Sequence, residues 1–473
     1  MEKILKTLIL WLCCLSSAFA TSTLDVDQLA QRYIPSAYVG VVVMDAKNGQ
    51  VLYSQNANKD FSPASTTKVL AAFAALVQLG PNYTYKTQAL IDVTQLKNHI
   101  LHGDLTMQFN GDPSLTSKDV EELVKMLPSA GIQEIDGNII IDNTRFQGSP
   151  YPFGIEYEDV NWYYNAPATS IIIDQNKATI HLVPAHKIGQ KTTIKFKQNT
   201  QYMTWNNQVM TVSEKQAAHH CQLILEVSDK NQVHLSGCWP IHGAVLELNL
   251  AIKNPTLFAQ KIIQENLAKY KIKFNGHFVT GKTPKLATLQ VAYHESAPIS
   301  KLIKTMLKDS NNLYARILGK TLGEQIFHSS SIQEGANAIK KILFEHFNIK
   351  LNGSKIYDTA GTGYTLLTPM QMAQTLYAAY HSPYKTVLID ALPKSGWLTD
   401  GTFEQDYIYK KYLPPHVYAK TGSMKSISTL AGYITTKKGK TLIFTIYTNH
   451  VAEQLKYARK MQTRICKELQ EMY

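Results

Sequence analysis

The stretch that decides the fold is SPASTTKVLAAFAALVQLGP, which spans residues 62–81. Every position from 69 to 79 except Gln78 is apolar, and Gly80-Pro81 ends the run. A helix that is apolar on every side has to be buried, with other elements packed around it. The sequence therefore predicts a buried helix and a domain large enough to enclose it.

Ser65 and Lys68 stand at the start of this helix. Ser62 is a good N-cap and Pro63 a good first helical residue, so Ser65 is expected in the first turn, near the positive end of the helix dipole. Ser65 and Lys68 are three residues apart and share one helix face. A serine becomes a nucleophile when a base takes its proton, and a partly buried amine with a lowered pKa can be that base. The same spacing also arises by chance, as at residues 382–385.

Two hairpins near the ends of the chain, together with the helices between them, indicate the fold class. Asn48-Gly49 and Lys438-Gly439 each lie between two mostly apolar runs of strand character. We predict an α/β (α+β) fold in which both hairpins share one antiparallel sheet and helices cover its faces. The predicted strands are 38–44, 50–53, 428–436 and 441–448, and the predicted helices are 25–32, 254–268, 299–318, 332–347, 369–380 and 453–472.

The middle of the chain has a different character from its flanks. A chain of 473 residues is too long for one compact core. Residues 84–248 consist of short alternating runs separated by turn residues, which is typical of β-structure. We expect a discontinuous main domain formed by residues 21–83 and 249–473, with 84–248 as a β-rich insertion of two subdomains.

Residues 1–20 have the pattern of a signal peptide. The start is basic, residues 8–15 are apolar, and Ala18-Phe19-Ala20 fits the small-x-small rule of signal peptidase. We therefore expect cleavage after Ala20 and a periplasmic protein. No other stretch approaches the roughly 18 apolar residues of a membrane-spanning helix, so no transmembrane segment is expected.

The cysteines agree with export. Cys221 and Cys238 flank an alternating stretch that predicts a hairpin, so a disulfide between them is expected, with Cys466 left over. The alternative is a zinc site in which His219-His220 and His242 join the same two cysteines. That set lacks the closely paired ligands of known zinc modules, and we expect no metal.

The charge balance is basic. Lys and Arg number 48 against 36 Asp and Glu, and the excess is spread along the chain. This favours peripheral association with an acidic wall or membrane surface, or serves solubility alone. With no basic arm, we expect no nucleic-acid partner. The oligomeric state stays open.

Two further motifs follow the Ser65-Lys68 pair in the chain. Ser310-Asn311-Asn312 lies within a predicted helical segment, and Lys420-Thr421-Gly422 lies on a predicted strand before the last hairpin. Taken singly, Ser310-Asn311-Asn312 fits a polar loop equally well, and Lys420-Thr421-Gly422 fits a solvent-exposed strand equally well. The functional interpretation depends on all three together.

In order, spacing and surroundings, these motifs resemble the S-x-x-K, S-x-N and K-T-G signature of the serine penicillin-recognising enzymes. More closely, the chain resembles the class C low-molecular-mass penicillin-binding proteins, the D-alanyl-D-alanine carboxypeptidase/endopeptidase family. That family carries a long insertion between its first two motifs, as here. Two departures are that residues 360–365 replace the family's D-G-S-G-L-S stretch, and that Asn311 stands where Asp is frequent. Local substrate contacts are expected to differ there.

The resemblance implies a penicillin-binding/serine β-lactamase-like catalytic domain with an antiparallel five-stranded sheet flanked by helices. It implies a serine-type D-Ala-D-Ala carboxypeptidase, and also a DD-endopeptidase, that acts on peptidoglycan stem peptides through an acyl-enzyme and binds β-lactam antibiotics covalently. No cofactor is required. The implied catalytic residues are Ser65, Lys68 and Ser310, and the implied substrate-binding residues are Asn312, Lys420, Thr421, Gly422 and Ser423.

Two rival functions fit the same motifs. One is a β-lactamase or esterase, which would turn over a penicilloyl-enzyme quickly. The other is a non-catalytic wall-binding or penicillin-sensing module, against which the intact Ser65, Lys68, Ser310 and Lys420 argue.

Overall fold

The computed structural model describes residues 24–361, 364–452 and 455–473. The predicted signal peptide, residues 1–20, lies outside these ranges. Within them, none of the helices combines the length and the apolar character that a membrane crossing requires.

Most of the helices pack in the main domain, and several begin with a polar side-chain cap of the kind that satisfies the first backbone N–H groups. The helices are α1 (Val26–Tyr33), α2 (Thr67–Leu79), α3 (Ser117–Met126), α4 (Glu214–His220), α5 (Pro255–Lys269), α6 (Ile299–Lys308), α7 (Asn312–Phe327), α8 (Ile332–Phe347), α9 (Pro369–Tyr380), α10 (Lys385–Ala391), α11 (Gly401–Gln405), α12 (Tyr407–Tyr412) and α13 (Leu455–Met472).

The strands divide between one sheet in the main domain and several smaller sheets in the inserted part. They are β1 (Tyr38–Asp45), β2 (Val51–Gln55), β3 (Lys86–Ile91), β4 (Leu96–Lys97), β5 (Ile100–Leu101), β6 (Leu105–Gln108), β7 (Glu134–Ile135), β8 (Ile139–Asp142), β9 (Lys177–Val183), β10 (Thr193–Phe196), β11 (Thr204–Asn207), β12 (Met210–Val212), β13 (Leu223–Val227), β14 (Gln232–Pro240), β15 (Leu246–Ala251), β16 (Lys273–Phe274), β17 (Phe278–Thr280), β18 (Leu289–Glu295), β19 (Val417–Met424), β20 (Ile427–Thr435) and β21 (Thr441–Asn449).

The main sheet joins the two ends of the chain. Its five strands lie in the order β19-β20-β21-β1-β2 and are antiparallel throughout. β1 pairs with β21 over its whole length, from Tyr38 opposite Asn449 to Asp45 opposite Leu442. The predicted α+β fold, with both hairpins in one five-stranded sheet, is confirmed.

Both faces of this sheet are covered, because successive side chains of a strand point to opposite sides. On β1, Val42 and Met44 join the core that surrounds α2, whereas Val41 and Val43 join the core under α1 and α13. Helix α2 lies in the first of these cores, and its residues 67–76 are all buried. The buried helix predicted from residues 69–79 therefore forms, next to α7 and α8.

The inserted part shares its core with elements beyond residue 248. β18 pairs with β3, β17 pairs with β8, and α5 packs against α3 in one hydrophobic cluster. A boundary at 248 would divide that cluster. We propose that the inserted unit runs from residue 84 to about residue 296, and that the catalytic domain consists of the chain on either side. The inserted unit also contains α3 and α4, two helices that the alternating pattern of residues 84–248 did not predict.

The turn that leads into α2 differs from the sequence prediction. Ser62 is not the N-cap, because a short 3₁₀ turn, Ala64–Thr66, precedes α2. The hydroxyl of Thr66 donates to the Pro63 carbonyl and that of Thr67 to the Ala64 carbonyl. Such local bonds compete with regular helix geometry. Ala64 accordingly has a left-handed φ of 46°, and Ser65 lies in this turn and not in the first turn of the α-helix.

Candidate active site

Ser65 and Lys68 form a hydrogen-bonded pair at the start of α2. Lys68 Nζ lies 2.7 Å from Ser65 Oγ, and it also donates to the Ala360 carbonyl oxygen at 3.1 Å. Lys68 is fully buried, whereas Ser65 is partly exposed. The hydroxyl therefore faces solvent or substrate while its partner amine lies inside the protein.

Burial lowers the pKa of Lys68 well below its usual range, the nearby positive charge of Lys420 lowers it further, and Asp358 offsets part of the effect. A buried amine with few compensating charges loses its proton readily. In this state Lys68 can accept the proton of Ser65, which is the chemistry that a serine nucleophile needs.

A buried ion pair supports the carbonyl that Lys68 contacts. Arg316 and Asp358 are both fully buried, with Arg316 Nη2 3.2 Å from Asp358 Oδ2. Asp358 Oδ1 accepts a hydrogen bond from the Ala360 N–H at 3.0 Å. The Ala360 peptide thus connects this ion pair to the lysine of the site.

The second motif lies between two helices and not inside one. The predicted helix 299–318 is interrupted, because α6 ends at Lys308 and α7 begins at Asn312. Ser310 has a left-handed φ of 56°, and the side chain of Asn311 caps α7 through the Tyr314 N–H. Residues with short polar side chains favour caps over helix interiors, which explains the break.

The break places Ser310 beside Ser65. Both side chains line a cavity of about 260 Å³, together with Thr421 and Ser423. Asn312 lines a second cavity with Ser65 and donates its amide to the Tyr164 carbonyl oxygen at 2.9 Å. Its implied role in substrate binding stays a prediction.

The third motif lies on β19, the edge strand nearest to the Ser65 turn. Lys420 is fully buried, donates to the Thr421 carbonyl oxygen at 2.7 Å, and has its pKa lowered to about 7 by burial. A Cβ at Gly422 would lie 2.2 Å from Thr429 Oγ1 and 2.8 Å from the Pro63 carbonyl oxygen. The glycine therefore allows β19 to approach the turn that carries Ser65.

Ser65 lies between two cavities, and both of these cavities are lined by Ser65 and Ser423. The larger cavity, about 570 Å³, is closed on one side by residues 154–156, Asp159 and Tyr164 of the inserted unit. The smaller one holds Ser310, Thr421 and Arg459. A reacting group at Ser65 could therefore extend in two directions.

The structure adds groups to the site that the motifs did not indicate. Arg316 could have been noticed as a lone charge in a helix that is otherwise largely apolar in its first half. Asp358, Tyr164 and Arg459 gave no comparable signal, because their relation to Ser65 arises only from packing. Residues 360–361, where the family pattern changes, lie directly against the site, since a Cβ at Gly361 would come within 1.9 Å of the Ala64 carbonyl oxygen.

The cysteine pair lies away from these groups. Cys221 and Cys238 form a disulfide with their Cα atoms 5.3 Å apart, at the end of the β13–β14 hairpin. Because the two sulfur atoms are bonded to each other, neither is available as a ligand for the alternative zinc site. Cys466 is a buried thiol in α13.

Fold and site together define a serine hydrolase with a penicillin-binding/serine β-lactamase-like domain. The chain is similar to the crystal structure of penicillin-binding protein 4 from Haemophilus influenzae, with a TM-score of 0.86, 26% identity, and coverage of 95% of this chain and 100% of that one. The structure of the same protein in complex with a β-lactam gives a TM-score of 0.82 at the same identity and coverage.

The chain belongs to the D-Ala-D-Ala carboxypeptidase 3 (S13) family, whose model matches residues 22–469. The D-alanyl-D-alanine carboxypeptidase DacB of Haemophilus influenzae is 28% identical over 441 residues, which cover 92% of this chain and 91% of that protein. The D-alanyl-D-alanine carboxypeptidase of Actinomadura sp. (strain R39) is 24% identical over 440 residues, which cover 90% of this chain and 80% of that protein. The predicted enzyme class, a serine-type D-Ala-D-Ala carboxypeptidase, is confirmed.

Proposed function

We propose that the enzyme cleaves peptidoglycan stem peptides through an acyl-enzyme on Ser65, with Lys68 as the base. The distance of 2.7 Å between Lys68 Nζ and Ser65 Oγ, at a lysine whose pKa is strongly lowered, carries this proposal. A neutral amine within hydrogen-bond reach of the hydroxyl is the geometry that general-base activation requires.

Lys68 takes the proton of Ser65 while Oγ attacks the carbonyl carbon of the penultimate D-Ala. The backbone N–H groups of Ser65 and Ser423 stabilise the oxyanion, a contribution of typically about 3 to 4 kcal/mol. As the C–N bond breaks, the proton held by Lys68 passes through the Ser310 hydroxyl to the leaving amine, which returns Lys68 to its neutral form, and the terminal D-Ala departs. Water then attacks the ester while Lys68 takes its proton. Lys68 returns that proton to Ser65 Oγ as the C–O bond of the ester breaks, and the shortened peptide is released.

The two cavities divide the substrate at the bond that is cut. The acyl part, with the rest of the stem, occupies the 570 Å³ cavity, where Asn312 holds its amide. The leaving residue occupies the 260 Å³ cavity beside Thr421. A cross-linked stem whose leaving residue carries a free carboxylate fits the same arrangement, so we include DD-endopeptidase activity. A β-lactam, which also places a carboxylate next to its reactive amide, acylates Ser65.

The enzyme acts in the periplasm after removal of residues 1–20, and its excess of basic residues favours a loose association with the acidic wall or membrane. Amino-terminal sequencing of the active protein should begin at Thr21. Retention of Met1 would contradict the export.

A pair of matched peptides tests the function. A stem peptide ending in D-Ala-D-Ala should lose its terminal residue, and the same peptide with an amidated terminus should be cut about ten-fold to a thousand-fold more slowly, since each 1.4 kcal/mol is about a factor of ten. Mass spectrometry follows both. Rapid clearance of benzylpenicillin with both peptides intact would indicate a β-lactamase, and a stable adduct without peptide cleavage would indicate a sensor. Equal cleavage of acid and amide would overturn carboxylate recognition.

A further inference from the structure

Arg459 of α13 reaches into the cavity that holds the leaving residue. Its Nη2 donates to Ser423 Oγ at 3.2 Å, and its Nη1 pairs with Asp406 Oδ2 at 2.7 Å. The side chain is 23% exposed, and Nε is buried without a hydrogen-bond partner among the described residues. The guanidinium is therefore held in place at the wall of the cavity.

Arg459 is the one cationic side chain among the described residues that line this cavity. Lys420, the cation of the third motif, is fully buried and directs its ammonium to the Thr421 carbonyl oxygen. Its pKa of about 7 leaves it only partly charged at neutral pH. An arginine side chain carries its charge at neutral pH, and its planar guanidinium has a fork of N–H donors that suits a carboxylate.

We propose that Arg459 is a specificity-determining residue that recognises the carboxylate of the leaving residue, with Thr421 and Ser423 as hydroxyl donors beside it. This inference rests on the proposed function. Ser423 Oγ already accepts a bond from Arg459, so a carboxylate placed next to that hydroxyl lies within reach of the guanidinium. Charge-assisted bonds of this kind are about twice as strong as neutral ones.

Asp406 fixes the position of Arg459. Its carboxylate accepts bonds from the Ile408 and Tyr409 N–H groups at the start of α12 and also pairs with Arg459. The carboxylate therefore belongs to a helix cap that is built whether or not substrate is present. Because Asp406 pairs with Nη1, the other terminal nitrogen of Arg459, Nη2, is directed at the Ser423 side of the cavity.

The test compares Arg459→Gln with Arg464→Gln. Arg464 lies on the same helix, is about half exposed and pairs with Glu468, so its variant makes the same charge change outside the cavity. For the peptide ending in D-Ala-D-Ala, Arg459→Gln should lower kcat/KM about ten-fold to a hundred-fold, mainly through KM. Turnover of the amidated peptide should stay within about two-fold of wild type, and Arg464→Gln should match wild type on both peptides.

Arg459→Lys is the control for misfolding, because a lysine at this position can keep the ion pair with Asp406. It should show an acid-to-amide preference between those of wild type and Arg459→Gln. An equal loss on acid and amide peptides in both Arg459 variants would make the residue structural and overturn the inference. The inference would also be overturned if Arg459→Gln preferred the acid peptide over the amidated peptide as strongly as wild type does. If wild type itself shows no acid preference, the carboxylate recognition of the proposed function fails instead.

Discussion

Arg316 and Asp358 form an ion pair in which neither side chain is exposed to solvent, with Arg316 Nη2 3.2 Å from Asp358 Oδ2. Asp358 also holds the Ala360 N–H, and the Ala360 carbonyl accepts a bond from Lys68. A single residue, Ala360, therefore links the pair to Lys68, the proposed base. Breaking a buried pair leaves an uncompensated charge, which is far more costly than removing both partners.

Asp358→Asn should lower the free energy of unfolding by about 3 to 5 kcal/mol because Arg316 loses its counter-charge. Acylation should slow as well, because the Ala360 N–H keeps only a neutral acceptor, which holds the residue that contacts Lys68 less firmly than a carboxylate does. The double variant Arg316→Met with Asp358→Leu should be less destabilised than Arg316→Met alone or Asp358→Leu alone. Urea unfolding of these three variants and of wild type measures this, and strictly additive losses would mean that the two side chains act independently.

Benzylpenicillin should add its mass to the peptide that contains Ser65. Ser65→Ala should abolish the adduct because no other serine has a buried amine at hydrogen-bond distance among the described residues. Ser382→Ala should leave the labelling intact, since the Ser382 hydroxyl donates to the Ala379 carbonyl in a turn after α9. Intact-mass spectrometry and peptide mapping follow both variants. An adduct that survives in Ser65→Ala would disprove the assignment.

Lys420 should make the stability of the protein depend on pH. Its pKa is about 7 in the folded state and near 10.4 when unfolded, so between these values the unfolded chain binds more protons. The free energy of unfolding should therefore rise as the pH rises from about 7 to about 10, with the full cost present below 7. Lys420→Met should be more stable than wild type by a few kcal/mol at pH 7, with the difference largely lost by pH 10.

Lys440→Met is the control for this experiment, because Lys440 is exposed at the turn between β20 and β21. It should show no comparable gain at pH 7. Chemical unfolding of the three proteins at pH 7, 8.5 and 10 gives the comparison. A constant difference between Lys420→Met and wild type across this range would show that the ammonium is stabilised in the folded protein by some other group.

Gly422→Ala should disturb Ser65, the proposed nucleophile, through β19. The added Cβ would come within 2.2 Å of Thr429 Oγ1 and 2.8 Å of the Pro63 carbonyl oxygen. We expect a loss of about 1 to 3 kcal/mol in the free energy of unfolding, as for other overpacked sites, together with slower penicillin acylation. Gly281→Ala, where the nearest atom is 3.9 Å away, should change neither quantity. Stopped-flow acylation and thermal unfolding test both variants.

The Cys221–Cys238 disulfide should stabilise the inserted unit. Closure of a loop with a sequence separation of 17 residues corresponds to roughly 3 kcal/mol in the chain-entropy model. Peptide mapping without reduction should find the two cysteines joined and Cys466 unmodified because it is buried. Cys221→Ser with Cys238→Ser should unfold at lower denaturant concentration and still acylate at Ser65. Alkylation of both cysteines in the unreduced protein would contradict the pairing.

The sequence by itself determined the elements that depend on local pattern. The apolar run at 69–79 could only be a buried helix, and the turns at Asn48-Gly49 and Lys438-Gly439 set two hairpins. The order of the three motifs gave the family, because their residue types and chain order are properties of the sequence. Each of these signals is carried by neighbours in the chain.

Tertiary structure alone decided how those pieces meet. The left-handed residues Ala64 and Ser310 place the two serines at one cavity, although the local pattern favoured continuous helix at both positions. The proposed extension of the inserted unit past residue 248 depends on the pairing of β3 with β18 across about 200 residues of chain, and pairing over such a separation leaves no local pattern in the sequence. Arg459 reaches Ser423 for the same reason: the contact depends on α13 packing against β20 and α12, and a long-range contact between two polar residues has no periodicity from which it could be predicted.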